Sequence, residues 1–568
     1  MRRAQGEIRE VLRMTELGIL LCGAAGQGVQ TIGSILARIA LKSGLCAFAW
    51  QDNESRIRGG SNGYSVRISD TVRNAPLDEF DVLLPLDAKS RLKYLPFLKP
   101  DGVLLGGDGR EGRGMAIDFA SISVQKAGNQ LYSNAVALGA LAAVLGFDGD
   151  TVHASVSEEF AGKSADLAQK NVELALDGFH LALETCRGLC TPKVTKRNEL
   201  RYLISGADAC ALGAWAAGCR FMAAYPMSPS TGVITALSRM ENELRVFTEQ
   251  AEDEIAAVNM AVGASYAGVR SMTATSGGGF ALMVETLSLS GMTETPLVVV
   301  LAQRPGPATG LPTRTEQGDL LFAVHSGHGE FPKAVLAPSD AKEIFHAMAR
   351  AFDLAERYQM PVIVLTDQLL MDSMYTLDDF DLGRIRNESH YANPSGIQES
   401  KRYRFTESGI SPMIRPGAGP NLTCCDSDEH DEDGHITENL ELRTRMVEKR
   451  LRKGKALRSE IASPELYRIF DSEIALVSWG SSRNAVAEAA DQMRKRGMKA
   501  GMIHFEEVWP LPQFNFPAVP SLVSVEGNAT GQLEGLVRAE YGVTFSESVR
   551  RFDGLPFDAG FILRRLAP

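Results

Sequence analysis

The chain has 568 residues, of which 59 are basic and 70 are acidic, so its formal net charge is −11. This balance argues against a general nucleic-acid or anionic-membrane surface, which needs an excess of lysine and arginine. No apolar run approaches the roughly 20 residues of a membrane span, and the charged start does not resemble a signal peptide. We therefore expect a cytoplasmic protein with about three or four domains.

The eight cysteines are scattered along the chain. Only Cys186 and Cys190 have a spacing that suits metal ligands, and no second pair accompanies them. The sequence therefore predicts no iron–sulfur or zinc framework within this chain.

The first predicted region is α/β and extends from about residue 16 to residue 187. Its start, "LGILLCGAAGQGVQTIGSILARIALKSG", has the pattern of a strand, a glycine turn and a helix over 30–43, whose apolar residues recur at helical spacing. "AFAWQDNESRIRGGSNGYSVRISD" reads as strand, loop and strand. Alternation of strands and helices favours an α/β layer with a parallel sheet.

Two stretches of this region could contact a ligand. In "GAAGQGVQTIG", backbone NH groups near Gly26 and Gly28 could hold a phosphate, although the segment lacks the Lys-Ser/Thr of a P-loop and a tight strand-to-helix turn would look the same. In "SRIRGGSN", Arg56 and Arg58 stand beside two glycines and could bind a carboxylate. A solvated basic turn is the alternative for the second stretch.

A second α/β region follows a basic linker. Its strands are predicted over 220–224, 246–248, 271–275, 297–302 and 362–366. An irregular segment, a charged helix and a third α/β region complete the chain. Open α/β sheets bind ligands at the carboxyl ends of their strands. The predicted divisions are 1–190, the linker 191–201, 202–375, the insert 376–468, and 469–568.

The segment "AAYPMSPSTG" places Tyr225 and Pro226 before a row of hydroxyl residues, Ser228, Ser230 and Thr231. Its two prolines fix φ and remove backbone donors, so the loop is stiffened twice. Such rigidity suits a loop that presents hydroxyl groups to a ligand.

Glu254 stands at the start of the predicted helix in "EDEIAAVNMAVGASYAG". A carboxylate facing the apolar wall of this helix would be partly desolvated, which suits proton exchange with a heterocycle. The alternative is an ordinary first-turn acid that stabilises the helix dipole.

Three further segments carry polar or glycine-rich patterns. "TATSGGGF", with Gly277 and Gly278, could form an anion nest or allow close backbone access. "RPGPATGLPTRTEQGD" is a stiff loop that holds Arg304 and Arg314. "CCDSDEHDEDGHITE", over 424–438, does not match an EF-hand or a His-Glu-x-x-His helix, and we expect a polar loop there.

These motifs together resemble the 2-oxoacid:ferredoxin oxidoreductases. "YPMSPST" is similar to a Tyr-Pro-Ile-Thr-Pro motif in the alpha subunit of the 2-oxoglutarate type, and "EDEIAAVNMAVGASYAG", "TATSGGGFALM", "GLPTRTEQGDLL", "SDEHDEDGHITE" and "VEGNATGQLEGLVR" follow in the family's order. "GAAGQGVQTIG" and "RIRGG" resemble the gamma subunit. The resemblance implies a fused gamma–alpha chain with several open sheets flanked by helices, including a pyrimidine-type thiamine-diphosphate domain and a transketolase C-terminal-like domain.

The resemblance also implies roles for individual residues. Glu254 matches the glutamate that hydrogen-bonds the pyrimidine ring of thiamine diphosphate, Ser228 matches a substrate-contacting threonine, and Arg314 matches an arginine that holds the substrate carboxylate. Arg58 falls where the gamma unit offers a basic residue to the far end of a dicarboxylic substrate. The other residues that it implies are Tyr225, Pro226 and Ser230 toward the substrate, and Gly26, Gly28, Gly277 and Gly278 toward the cofactor.

The family oxidatively decarboxylates 2-oxoacids to acyl-CoA and CO2 and passes the electrons to ferredoxin. Since the chain shows neither a four-cysteine cluster nor a magnesium–diphosphate motif, the resemblance implies a beta subunit that carries Mg2+ and [4Fe-4S] clusters, in a heterodimer or its dimer that is active only when assembled. Ser228 replaces the usual threonine and Gly278 a usual proline, which bears on the substrate more than on the reaction. The alternatives are a branched-chain, aryl or pyruvate substrate, or a non-catalytic nucleotide-binding or scaffold subunit.

Overall fold

The computed structural model describes residues 16–55, 59–106, 114–185, 201–393, 401–418 and 422–566. The chain divides into two units, which are described separately. Unit one comprises Met1–Leu203 with Met374–Asp379, and unit two comprises Ile204–Ser373 with Phe380–Pro568. The finer boundaries expected from the sequence stay predictions.

The sheet of unit one has the strand order β5-β4-β1-β3-β2-β13-β6. Its strands are β1 (Glu16–Ala25), β2 (Cys46–Asp52), β3 (Gly59–Ser69), β4 (Phe80–Pro85), β5 (Leu98–Leu104), β6 (Tyr202–Ser205) and β13 (Met374–Leu377). β4 is parallel to β1 and to β5, but β3 is antiparallel to both β1 and β2. The expected parallel sheet is therefore wrong for this unit, because the few residues between β2 and β3 cannot hold the crossover that parallel strands need.

The helices of unit one pack closely against one another. They are α1 (Val29–Lys42), α2 (Ala88–Tyr94), α3 (Phe119–Ala127), α4 (Ser133–Val144), α5 (Gly149–Phe160) and α6 (Ala165–Thr185). α4 is buried on every side over 135–144. A Cβ at Gly139 would lie 1.7 Å from the Ala175 carbonyl oxygen, so glycine there lets α4 and α6 meet backbone to backbone.

The first sheet of unit two has the order β17-β11-β12-β10-β9-β7-β8. Its strands are β7 (Phe221–Ala224), β8 (Phe247–Gln250), β9 (Ser271–Thr275), β10 (Leu297–Gln303), β11 (Ala334–Leu336), β12 (Pro361–Asp367) and β17 (Glu507–Trp509). Every residue of β10 and β12 is buried, which is why both read as continuous apolar runs. The strand predicted over 271–275 is confirmed as β9, and the others differ by a few residues at their ends.

A second sheet in unit two has the order β14-β16-β15-β18-β19. Its strands are β14 (Glu465–Tyr467), β15 (Ile474–Trp479), β16 (Ala500–Phe505), β18 (Ser521–Glu526) and β19 (Glu547–Arg550). The helices of unit two are α7 (Gly206–Ala216), α8 (Thr231–Arg239), α9 (Glu241–Leu244), α10 (Glu254–Tyr266), α11 (Gly277–Met292), α12 (Leu320–His325), α13 (Ala341–Tyr358), α14 (Gln368–Asp372), α15 (Leu440–Glu460), α16 (Arg483–Lys495), α17 (Gln532–Tyr541) and α18 (Ala559–Leu566). The predicted α/β class with open sheets is confirmed.

The charged helix α15 buries several of its basic side chains. Lys449 and Lys453 both donate to the carboxylate of Glu294, just beyond the end of α11, with Nζ–Oε distances of 2.6 Å and 2.7 Å. The Arg450 guanidinium makes a two-pronged contact with Glu429, at 2.8 Å and 3.0 Å. The two Glu294 pairs fix the predicted insert to the rest of unit two, whereas the Arg450–Glu429 pair joins α15 to an earlier part of the same insert.

Among the described residues, the model has no helix with both the length and the apolar character needed to cross a membrane.

Candidate functional site

Glu254 is the first residue of α10, and its side chain is turned inward. The preceding Asp253 caps the helix by accepting a hydrogen bond from the Ala256 backbone NH at 2.7 Å, so Glu254 is not needed for that role. Glu254 is only 4% exposed, and its Oε1 has no hydrogen-bond partner among the described residues. A buried carboxylate oxygen without a partner is costly in a folded protein, which indicates that a ligand donor completes it.

The Glu254 carboxylate lies against the first turn of α11. A Cβ at Gly279 would be 2.6 Å from Glu254 Oε1 and 2.2 Å from Thr275 Oγ1. Only glycine therefore allows the carboxylate to approach this backbone. The hydroxyl of Ser276 is also buried without a partner within the described part of the chain, so unsatisfied polar atoms gather where β9 meets α11.

The other two glycines of the α11 start have different surroundings. A Cβ at Gly277 would lie 2.5 Å from Asp319 Oδ2, so this position is closed by a carboxylate. Gly278 is exposed, and a Cβ there would meet no atom within 4 Å. Of the two glycines predicted from the sequence, Gly278 is the one beside which there is room for a ligand.

The Tyr-Pro loop between β7 and α8 presents some of its side chains and uses others internally. Tyr225 and Ser228 are exposed and Pro226 is half-buried. Ser230 is buried, and its hydroxyl donates to the Met227 carbonyl at 2.7 Å, so it closes the turn. Ser228 is thus the serine of this loop whose side chain faces outward.

Arg304 interacts with both the Ser228 loop and Asp319, the residue before α12. Its Nη1 donates to the Ser228 carbonyl at 2.8 Å. Burial raises the pKa of Asp319 to about 6, against the opposing positive charge of Arg304. Because Asp319 also lies against Gly277, Arg304 and Asp319 together connect the Ser228 loop with the start of α11.

Glu316 adds a second perturbed acid to this loop. Burial, followed by the negative charge of Asp319, raises the pKa of Glu316 to about 7. Neither acid was singled out in the sequence analysis. The sequence feature that could have identified them is their position in a proline-rich and glycine-rich loop, with Glu316 two residues and Asp319 five residues after Arg314.

Arg314 is half-buried and packs against the C-terminal part of unit two. A Cβ at Gly554 would lie 3.1 Å from Arg314 Cβ, and the neighbouring Thr315 NH donates to the Gly554 carbonyl at 3.3 Å. Burial lowers the pKa of Arg314, and the negative charge of Asp553 opposes this shift. The residues after β19 therefore hold this arginine in place.

The glycine-rich turn of unit one borders a cavity of about 710 Å3. Gly26 lines it together with Asp87, Arg91 and Asn134. Gly28 caps α1 with φ 72°, and a Cβ there would lie 2.2 Å from Asn134 Nδ2. Gly26 therefore borders open space, while Gly28 is needed for a close approach to α4. Arg56 and Arg58 lie outside the described residues.

The acidic segment 424–438 is largely committed to internal contacts. His430 is fully buried, with its ring centroid 4.1 Å from that of Tyr403, and the neighbouring Glu429 pairs with Arg450. Within the described ranges, no group of three or more His, Cys, Asp or Glu side chains is placed to hold a metal ion.

These features, polar groups gathered at the carboxyl ends of parallel strands, are those of a ligand-binding α/β enzyme. A family model described as pyruvate flavodoxin/ferredoxin oxidoreductase, thiamine diP-binding, matches residues 212–449, and one described as pyruvate ferredoxin/flavodoxin oxidoreductase matches residues 18–181. The 2-oxoacid:ferredoxin oxidoreductase alpha subunit of a Sulfolobus species is 30% identical, over 95% of this chain and 95% of the relative. The chain belongs to the 2-oxoacid:ferredoxin oxidoreductase family, which confirms the resemblance inferred from its motifs.

Two other comparisons agree with this assignment. The 2-oxoglutarate synthase subunit KorA of Methanothermobacter thermautotrophicus is 35% identical, over 62% of this chain and 94% of the relative. A solved structure is described as 2-oxoglutarate:ferredoxin oxidoreductase from Magnetococcus marinus with 2-oxoglutarate, coenzyme A and succinyl-CoA bound. It superposes with a TM-score of 0.90 at 30% identity, over 97% of this chain and 99% of that chain. The predicted enzyme class is confirmed.

Proposed function

We propose that this chain is the fused gamma–alpha subunit of a thiamine-diphosphate-dependent enzyme that oxidatively decarboxylates 2-oxoglutarate to succinyl-CoA and CO2 and passes the electrons to ferredoxin. The observation that carries the proposal is the buried Glu254 carboxylate, whose Oε1 has no partner among the described residues and lies against the glycine start of α11. The names of the KorA relative and of the Magnetococcus structure support 2-oxoglutarate as the substrate.

The residues of this chain fit the thiamine diphosphate of the proposal. When bound, this cofactor supplies the carbon nucleophile that attacks the 2-oxo group. Glu254 exchanges a proton at Oε1 with the aminopyrimidine ring, and its burial keeps competing water away from that oxygen. Gly278 leaves room for backbone approach at the start of α11, where a helix N-terminus favours negative charge, while the adjacent Gly277 lies against the Asp319 carboxylate.

Substrate binding is assigned to the Tyr-Pro loop and to Arg314. The Arg304 hydrogen bond to the Ser228 carbonyl restrains this loop. The Ser228 hydroxyl therefore contacts the substrate with little loss of conformational entropy. Tyr225, Pro226 and Ser230 shape the same loop. Arg314 binds the carboxylate beside the 2-oxo group, and Arg58 binds the far carboxylate.

The remaining groups come from partners. A beta subunit contributes Mg2+ and the [4Fe-4S] clusters, and it forms a heterodimer, or a dimer of heterodimers, with this chain. The bound CoA of the Magnetococcus structure supports CoA as the acyl acceptor. Gly26 and Gly28 bind phosphate at the N-terminus of α1.

The test uses the chain co-produced with its cysteine-rich partner subunit. Viologen reduction is measured with a panel of 2-oxoacids, and 2-oxoglutarate is expected to give the highest kcat/KM. Glu254→Gln keeps the shape of the side chain and removes its basic oxygen, so kcat should fall by about 100-fold or more. Glu252→Gln changes an exposed acid two residues away and serves as the matched control.

Two outcomes would contradict the proposal. If Glu254→Gln retained activity within about threefold of the wild type, the residue would have no role in proton transfer. If another 2-oxoacid class were preferred, the reaction would stand and the substrate assignment would fall.

A further inference from the structure

A cavity of about 360 Å3 lies along one face of α13 in unit two. His346 and Glu343 line it from α13, Arg384 and Arg386 from the segment after β13, and Glu506 from the residue before β17. It shares no residue with the Glu254 site. Its volume is sufficient for a small metabolite.

His346 contributes an unsatisfied polar atom to this cavity. The residue is only 9% exposed, and its Nε2 has no hydrogen-bond partner among the residues that the structure describes. Burial lowers the pKa of the imidazole, while a hydrogen bond to the Phe380 carbonyl opposes the shift. The neutral ring that donates to Phe380 keeps its other nitrogen as an acceptor, so the cavity offers a site for a ligand donor.

Two carboxyl groups add to this acceptor character. Burial is the main cause that raises the pKa of both Glu343 and Glu506, the latter to about 7. The next cause is the negative charge of Asp340 for Glu343 and that of Glu343 for Glu506. The positive charge of Arg483 opposes both shifts and that of Arg384 opposes the shift of Glu343, but neither cancels them. The charged forms of two buried acids with raised pKa values are stabilised when a cationic group lies beside them.

The arginines of the cavity fall into two kinds. Arg350 and Arg357 are internally paired, with Glu507 at 3.1 Å and with Glu460 at 2.6 Å. Arg384 and Arg386 are exposed and form no salt bridge within the described part of the chain. Free guanidinium groups match a carboxylate in a planar, two-pronged contact.

We propose that this cavity binds a free α-amino acid, with its ammonium group on Glu343, Glu506 and His346 Nε2 and its carboxylate on Arg384 and Arg386. A dianion would be repelled by the two glutamates, and a simple amine would offer no carboxylate to the two arginines. A zwitterion complements both halves of the cavity at once. The proposal does not depend on the substrate or cofactor of the Glu254 site.

Isothermal titration of the full chain with the common amino acids tests the proposal. At least one amino acid should bind, and its des-amino carboxylic acid and its decarboxylated amine should each bind at least about tenfold more weakly, because each loses one charge-assisted contact. Arg384→Ala and Glu506→Gln should weaken the amino acid by about tenfold or more. Arg404→Ala, an exposed arginine outside the cavity, should leave the affinity unchanged.

Three results would overturn the assignment. One is the absence of binding by every amino acid at about 10 mM, a concentration at which even weak sites fill. Another is equal affinity for the des-amino acid. The third is an affinity that is unchanged in the Arg384→Ala chain.

Discussion

Glu294 is the buried centre of an ion cluster, and replacing it with glutamine should strongly destabilise unit two. The side chains of Glu294 and Lys449 are fully buried and that of Lys453 is 1% exposed. Burial favours the neutral acid, but the positive charges of Lys453 and Lys449 outweigh it and hold the pKa of Glu294 well below its usual range. Glutamine would keep the size of the side chain and remove the charge that both lysines need.

The magnitude follows from the geometry. At 2.6 Å and 2.7 Å, each pair contributes about 6 kcal/mol of attraction at an effective dielectric constant of about 20. Desolvation of the three charged groups offsets much of this attraction. Removing the carboxylate alone leaves two buried ammonium groups uncompensated, which costs about 3 to 5 kcal/mol. This is a large part of the roughly 5 to 15 kcal/mol that stabilises a typical domain.

Urea unfolding followed by tryptophan fluorescence measures the effect, since Trp215, Trp479 and Trp509 all lie in unit two. The midpoint for Glu294→Gln should fall by about 1 M or more, given a typical slope of about 3 kcal/mol per M. Glu285→Gln, on the exposed face of the preceding helix α11, is the matched control and should unfold like the wild type.

A second variant separates charge from shape. Adding Lys453→Met to Glu294→Gln removes one of the two stranded ammonium groups, so the double variant should be more stable than Glu294→Gln alone. The reasoning is refuted if Glu294→Gln unfolds at the same urea concentration as Glu285→Gln, or if Lys453→Met makes the variant less stable.

Two further predictions concern the site itself. Gly279→Ala places a Cβ 2.6 Å from Glu254 Oε1, so viologen reduction by the assembled enzyme should fall about as far as in Glu254→Gln. The control is Gly263→Ala, an open position on α10, which should retain activity. Equal activity of the two alanine variants would count against the proposed Glu254 position. Because the pKa of Glu316 rises from 4.5 to about 7 on folding, the folded chain binds more protons across that interval and loses stability as pH rises through it. Glu316→Gln should therefore unfold at higher urea than the wild type above pH about 8, with the difference vanishing below pH about 4, and a difference independent of pH would exclude this assignment.

Local patterns predicted those parts of the fold that depend on neighbouring residues. Apolar runs identified β10 and β12 because both strands are buried on each face. The pairing of β3 with β1 and the addition of β13 to the sheet of unit one depend on contacts between distant residues. No periodicity in a single segment contains that information.

The candidate site also combines features that the local sequence predicts with features that depend on contacts between distant residues. The apolar helix after Glu254 indicated a desolvated acid, but its approach to Gly279 depends on how α10 and α11 pack. Asp319 and Glu316 acquire their raised pKa values from burial that only the folded chain creates. The acidic run 424–438 predicted a polar loop, but the pairing of its Glu429 with Arg450, from a helix further along the chain, depends on tertiary structure.

Strand β13 has a consequence for synthesis of the chain. It pairs with β2 through Met374 and Tyr375, yet it is translated only after the residues up to Ser373 that belong to unit two. Until it emerges from the ribosome, the backbone groups of β2 on that side lack their native neighbour, and an unpaired edge of this kind invites association with other chains. A shortened gene that ends near residue 203 would therefore encode a gamma-like piece with a permanently open sheet edge and a tendency to aggregate.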